Sequence, residues 1–210
     1  MTQHKSVKEP RTDRGRKTRR KLLEAARTEF GEKGFHAASV SSITRSASVA
    51  SGTFYTYFDS KNALFRALIN DISMQVGEVA GAEVGKRREE PGTGAIDIEE
   101  AALLAFLRFA REHKEVYRVI DEAEFVDEAA YRNHYNSTAA RIKSRLAEGI
   151  AQGDMRAISD EDLETYAWAI MGMNVFLGLR FAVWGEPDER MEPIAATAND
   201  LIARGLVADD

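Results

Sequence analysis

Apolar residues recur along this chain at three- and four-residue steps, the mark of amphipathic helices. Leu22, Leu23, Ala26 and Phe30 share one face of a first predicted helix. Gly31 and Gly34 bracket its end, the second well placed for a left-handed cap. Ser39, a preferred N-cap residue type, precedes a short run in which Val40, Ile43 and Ala47 point inward. Val49 seals a tight turn, and a third short helix is predicted from about residue 50 to residue 57. Asp59 or Ser60 caps a fourth helix, whose stripe is Phe65, Ile69, Ile72, Val76 and Val79.

Beyond it, residues 85–94, with Pro91, read as a loop. Further helices are predicted over 98–111, 115–125 and 127–152, the last ended by Gly153-Asp154. Ser159-Asp160-Glu161-Asp162 opens another, its acids suited to the positive end of a helix dipole. Residues 166–184 are apolar nearly all round. Their length would permit a membrane span, but Asn174 and Arg180 interrupt them and acidic runs flank them. Burial on two sides, against the chain itself and against a partner subunit, is the expectation; no membrane partner is expected. A last helix over 193–206 offers Ile194, Ala198, Leu201 and Leu206. Nothing alternates like a strand, so the expected fold class is all-α.

The chain has 210 residues and no cysteine, which excludes a disulfide framework and a thiolate zinc site. Its first twenty residues are polar and basic with no apolar core, unlike a secretory signal, so the expected location is the cytoplasm. The net charge of -5 hides an asymmetry. Residues 1–66 carry 14 Lys and Arg against 6 Asp and Glu, while the remainder carries 15 against 28. A head of +8 on a body of -13 gathers positive potential where a polyanion would be met and repels it elsewhere.

Three short helices in succession, the last carrying Gly52-Thr53-Phe54-Tyr55-Thr56-Tyr57-Phe58, suit the major groove of DNA rather than catalysis. Ser39 can offer a hydroxyl and outward-pointing amides to a phosphate. Thr53, Tyr55 and Tyr57 add hydroxyls, and Gly52 lets backbone approach closely. Lys61 supplies a point charge, and Arg45 is either a further contact or a solvated side chain. Phe54 and Phe58, one turn apart, are read as core. Residues 50–57 contain no Arg, Lys, Asn or Gln, so affinity should rest on phosphates, and discrimination on Thr53, methyl contacts, arm residues and DNA shape.

Residues 18–65 resemble the DNA-binding domain of the tetracycline-repressor (TetR) family of bacterial transcription regulators. The resemblance rests on Leu22-Leu23-Glu24-Ala25-Ala26, Phe30, Gly34-Phe35, Ser39-Val40, Ile43, Ala47, Val49, Gly52-Thr53-Phe54-Tyr55, Tyr57-Phe58 and Ser60-Lys61-Asn62-Ala63-Leu64. The chain departs from the family where Ser48 replaces a turn glycine, Thr44 a small alanine, and Ala50 a serine. Loss of that hydroxyl cap costs about 1 kcal/mol unless Ser51 substitutes, and Ser48 would take a left-handed conformation only with strain.

Residues 1–17 lack apolar periodicity and read as a disordered basic arm; the resemblance implies a helix-turn-helix DNA-binding domain over 18–65 and a helical effector-binding and dimerisation domain over 66–210. It makes Tyr55, Tyr57 and Lys61 phosphate contacts, and Ser51, Gly52 and Thr53 the residues that meet base edges. The last two long helices would form a four-helix bundle between subunits of a homodimer, and the fourth helix would be the lever between effector and double-stranded operator DNA. Repression relieved by ligand is the implied mode.

The body holds many aromatic and methionine side chains at helical spacing, which are core by default. Their number allows a mostly apolar pocket with a few polar groups, for which Tyr117, Arg118, Phe125, Tyr131, His134, Tyr135, Met171 and Asn174 are the candidates. The small-molecule effector would be fatty acyl or aromatic. Arg118 or Arg180 could meet an anion or pair with Glu122, Glu124 or Glu186. An enzyme is not expected: the four histidines are scattered and none of H-E-x-x-H, G-x-S-x-G or G-x-x-x-x-G-K-[ST] occurs. Glu122, Glu124, Asp127 and Glu128 read as solvated helix faces rather than a metal site. No cofactor, metal or catalytic residue is expected; the remaining rival is a helical interaction protein without DNA binding.

Overall fold

The computed structural model describes residues 10–206. All elements among them are helical: α1 Asp13–Lys33, α2 Val40–Ser46, α3 Ser51–Tyr57, α4 Lys61–Arg88, α5 Ala95–Glu112, α6 Glu115–Val126, α7 Glu128–Gln152, α8 Asp160–Leu177 and α9 Met191–Leu206. A π-helical stretch, Gly178–Val183, continues α8, with the Trp184 N–H reaching back five residues to Leu179 O. The chain divides into two compact units. One holds the described residues up to Ile72 together with Glu115–His134, the other Ser73–Lys114 and the described residues from Tyr135 onward.

The core of the first unit is aromatic. Phe30 and Phe35 both pack edge-on against Phe65, with ring centroids 5.2 and 4.9 Å apart, an arrangement that suits the ring quadrupoles. Leu22, Ile43, Phe54, Leu64, Leu68, Ile69 and Ile72 are fully buried around them. Val116, Val119, Ile120 and Ala123 of α6 are buried in the same unit. The amphipathic stripe of α6 does not by itself say which core the helix joins.

α1 begins at Asp13, inside the stretch read as a disordered arm, because Thr12 accepts the Gly15 N–H and caps it. Arg14, Arg16 and Lys17 are therefore helical; residues 1–9 of that arm lie outside the described residues. α4 likewise runs to Arg88, past Gly85 where a loop was expected, with Lys86, Arg87 and Arg88 in its last turn, where cations suit the helix dipole.

In the second unit, Ala95, Ala139, Ile142, Leu146, Met155, Leu163, Ala167, Ile170, Met171 and Ile202 form one apolar cluster. A Cβ on Gly149 would stand 2.5 Å from the Ala95 Cβ, so only glycine lets α7 pass the start of α5 this closely. Asp154 caps α5 by accepting the Ala95 N–H at 3.0 Å. Buried Glu99 meets Arg145 in a two-pronged pair at 2.6 and 2.8 Å.

Candidate nucleic-acid interface

α2 and α3 owe their geometry to short-range chemistry. Ser39 accepts the Ser42 N–H at 3.0 Å while Ser42 Oγ accepts the Ser39 N–H at 3.1 Å, a reciprocal cap. Thr44, where the family has alanine, is buried and donates its hydroxyl to Ser41 O. Ser48 has φ 55, the one non-glycine residue among those described with positive φ. Its backbone turns the chain from α2 to α3 at the steric cost expected of a side chain there. Ala50 occupies the N-cap of α3 without a side-chain hydrogen bond.

The outer surface of α3 is polar. Ser51 and Gly52 are exposed, Thr53 and Tyr57 half-buried, and Tyr55 is 56% exposed, while Phe54 and Phe58 point into the core. A Cβ built on Gly52 meets nothing within 4 Å, so internal packing does not demand glycine there. A Cβ on Gly15 would come within 3.6 Å of the Tyr57 hydroxyl, placing the first turn of α1 beside the end of α3. Arg45 is exposed, and Ser39 is exposed at the start of α2. Lys61 is different: its ammonium donates to the carbonyls of Phe35 at 2.7 Å and Ala38 at 2.9 Å, and lies 3.5 Å from that of His36. The residue expected as a phosphate contact is turned inward.

Sequence reasoning missed several supports of this surface. Glu29, on α1, is buried and holds Lys33 at 2.8 Å. Hydrogen bonds from Lys33 and Ser42 outweigh its desolvation and lower its pKa below the ordinary 4.5. Arg118 of α6 donates to Gly31 O at 3.3 Å and Glu32 O at 3.0 Å, and Glu122 accepts the Phe35 N–H at 2.6 Å. Asp127 caps α7 through the Ala130 N–H and pairs with Arg66 at 2.5 Å. Glu122 and Asp127 are thus structural rather than solvated, a correction to the reading of that acidic run; only pairing across many tens of residues reveals it.

The eight effector candidates are not gathered in this way. Tyr117, Arg118, Phe125, Tyr131 and His134 belong to the first unit, and Tyr135, Met171 and Asn174 to the second. Arg118 is engaged with the end of α1 and lies 3.7 Å from Glu122, the pairing left open on the sequence. Phe125 is 85% exposed, Met171 is part of the apolar cluster, and Tyr135 packs against that cluster. Tyr117, Tyr131 and His134 are half-buried, and the buried Asn174 Oδ1 has no hydrogen-bond partner. Recesses of about 520, 260 and 360 Å³ open on the second unit; charged side chains such as Arg180, Arg145 and Arg87 contribute to each lining, and none of the eight does.

A capped helix, a left-handed turn and a short polar-faced helix on an aromatic core define a helix-turn-helix DNA-binding domain. Residues 22–68 match the model of the bacterial regulatory proteins of the tetR family. The chain is 29% identical to the uncharacterized HTH-type transcriptional regulator YdgC of Bacillus subtilis, over 92% of this chain and 95% of that protein. It is 48% identical to the HTH-type transcriptional regulator UidR of Escherichia coli (strain K12), over 25% of this chain and 26% of that one. Its fold is that of a TetR-like transcriptional regulator from Rhodococcus sp. RHA1 (TM-score 0.68, 23% identity, 94% and 98% of the two chains). It also matches the fatty acid degradation regulator FadR from Bacillus halodurans (TM-score 0.73, 17% identity, 92% and 96%). Residues 22–68 are thus similar to the DNA-binding domain of the tetR-family regulators, and the chain over nearly its whole length is similar to HTH-type transcriptional regulators.

Proposed function

We propose that this regulator is a cytoplasmic repressor that binds a (pseudo)palindromic operator as a homodimer and is released by a small apolar effector. The observation that carries the reading is the outer face of α3: exposed, polar, without cations and backed by Phe54 and Phe58. Ser39, Arg45, Tyr55 and Tyr57 would grip phosphates and Ser51, Gly52 and Thr53 would meet base edges, with residues 18–65 as the DNA-binding domain and 66–210 as the effector-binding and dimerisation domain.

Dimerisation has its own support. Asp160–Val183 is apolar and long enough to cross a membrane, yet only 28% of its most apolar window is buried. Trp168, Phe176 and Leu201 of α8 and α9 are exposed large apolar side chains. A second copy laid against these helices would cover them and present two α3 elements to successive major grooves, about 34–36 Å apart. An effector that favours another spacing weakens DNA binding by its differential affinity for the two states. The FadR from Bacillus halodurans, with which this chain shares a fold, is described as a regulator of fatty acid degradation, which supports a fatty acyl effector; an aromatic one fits the same chemistry.

The test is a gel shift of the purified protein with the DNA upstream of its own gene, followed by footprinting and sedimentation equilibrium. A protected inverted repeat bound by a dimer is expected. A monomer, or no retarded band with any duplex at low salt, overturns the reading.

A further inference from the structure

We infer that Lys61 is a positioning residue that holds the α1–α2 connection in place, and that it does not serve as a phosphate contact. The inference rests on the operator-binding reading above and refines how that surface is built. Lys61 is the first residue of α4, where the dipole makes a cation unfavourable unless something offsets it. The offset is visible. An ammonium has three N–H donors, and those of Lys61 are directed at three carbonyls, of Phe35, His36 and Ala38, with the Phe35 ring 4.3 Å from Nζ.

Those carbonyls belong to the five residues between Gly34 and Ala38 that link α1 to α2. Three of the backbone N–H groups there are held: that of Gly34 bonds Phe30 O, that of Ala38 bonds Gly34 O, and that of Phe35 goes to Glu122. Lys61 gathers the carbonyls on the other side. Phe35 and Ala38 are buried, so carbonyls released there would lose a charged donor without full access to water. To reach a phosphate, Lys61 would have to abandon all three. Ser39, the cap of α2, follows this connection directly, so the clasp sets where α2, and through it α3, stands relative to α1.

The test compares the full-length wild type with Lys61→Met and Lys61→Arg by two readouts. The first is hydrogen–deuterium exchange of the amides of residues 35–38 in the free protein. The second is the slope of log binding constant against log salt for an operator duplex. Loss of one phosphate contact lowers that slope by about one. The expected result is that Lys61→Met leaves the slope unchanged while exchange at residues 35–38 accelerates by ~10-fold or more, a loss of charged hydrogen bonds. In Lys61→Arg, a planar fork cannot place three donors on one converging set of carbonyls, so exchange also rises and the slope again holds.

A slope lower by about one in Lys61→Met and restored in Lys61→Arg overturns the inference, as does unchanged exchange in both variants. Wild-type protein that binds no duplex would sink the operator reading instead, and the exchange data would still judge the clasp.

Discussion

The carboxylate of Glu122 accepts the backbone N–H of Phe35 at 2.6 Å, across 87 residues of sequence. This joins α6 to the connection that Lys61 holds from α4, and makes α6 part of the unit that carries α3. Removing the acceptor strands a buried N–H, because Phe35 is only 6% exposed. A hydrogen bond to a charged group contributes about 1.5–3 kcal/mol, so Glu122→Ala should lower unfolding stability by about 2 kcal/mol. Urea denaturation checks this, and a loss below ~0.5 kcal/mol would show that water replaces the carboxylate.

Gly31 makes a contact of a different kind. A Cβ there would stand 2.4 Å from the Glu115 Cβ, so the backbone of α1 packs directly against the first residue of α6. Overpacking of this sort costs about 1–3 kcal/mol. Gly31→Ala should therefore destabilise the protein by that amount although alanine is the better helix former. A Tm equal to or above the wild type would refute the close packing.

The strain in the turn is open to repair. Ser48 holds φ 55 and Ala50 caps α3 with no side-chain bond. Ser48→Gly removes a left-handed cost of about 1–2 kcal/mol, partly offset by about 0.4–1 kcal/mol of unfolded-state entropy. Ala50→Ser adds a cap bond of about 0.5–2 kcal/mol. The double variant should melt several degrees higher; an unchanged melting temperature would count against both accounts.

Acid should loosen the seat of α2. The hydrogen bonds from Lys33 and Ser42, with the charges of Lys33 and Arg45, hold Glu29 below the ordinary 4.5. A lowered folded pKa means the stabilisation is complete above that ordinary value and fades as pH falls through the folded one. Glu29→Gln should thus be less stable than wild type at neutral pH, with the gap closing below about pH 4.5. Melting curves from pH 7 to pH 3 test the sign; a gap that widens in acid reverses it.

On α8, Phe176 is 71% exposed on a strip too apolar for water. Burying a phenyl ring contributes about 1.5–3 kcal/mol, counted twice by two-fold symmetry. Phe176→Glu should weaken self-association by about a hundredfold or more and operator affinity with it. Sedimentation showing an undiminished dimer would move the interface elsewhere.

Local chemistry was legible in the chain alone. Ser39 as a cap, Phe54 and Phe58 as core, the turn at Ser48 and the start of α8 after Ser159 all depend on residues within a few positions of one another, where type and spacing decide the outcome. Lys61 and Arg118 were legible as cations but not as partners: the carbonyls they hold lie 23 to 87 residues away. Glu122 and Asp127 looked like a solvated acidic face for the same reason.

Periodicity, caps and charge, which are properties of neighbouring residues, were enough to establish an all-helical chain with a basic, DNA-directed head. That α6 joins this head, that Lys61 faces inward, and that the effector candidates divide between two units were decided only by the tertiary structure. A helix stripe states how much apolar surface must be buried, and only the packed chain chooses what buries it.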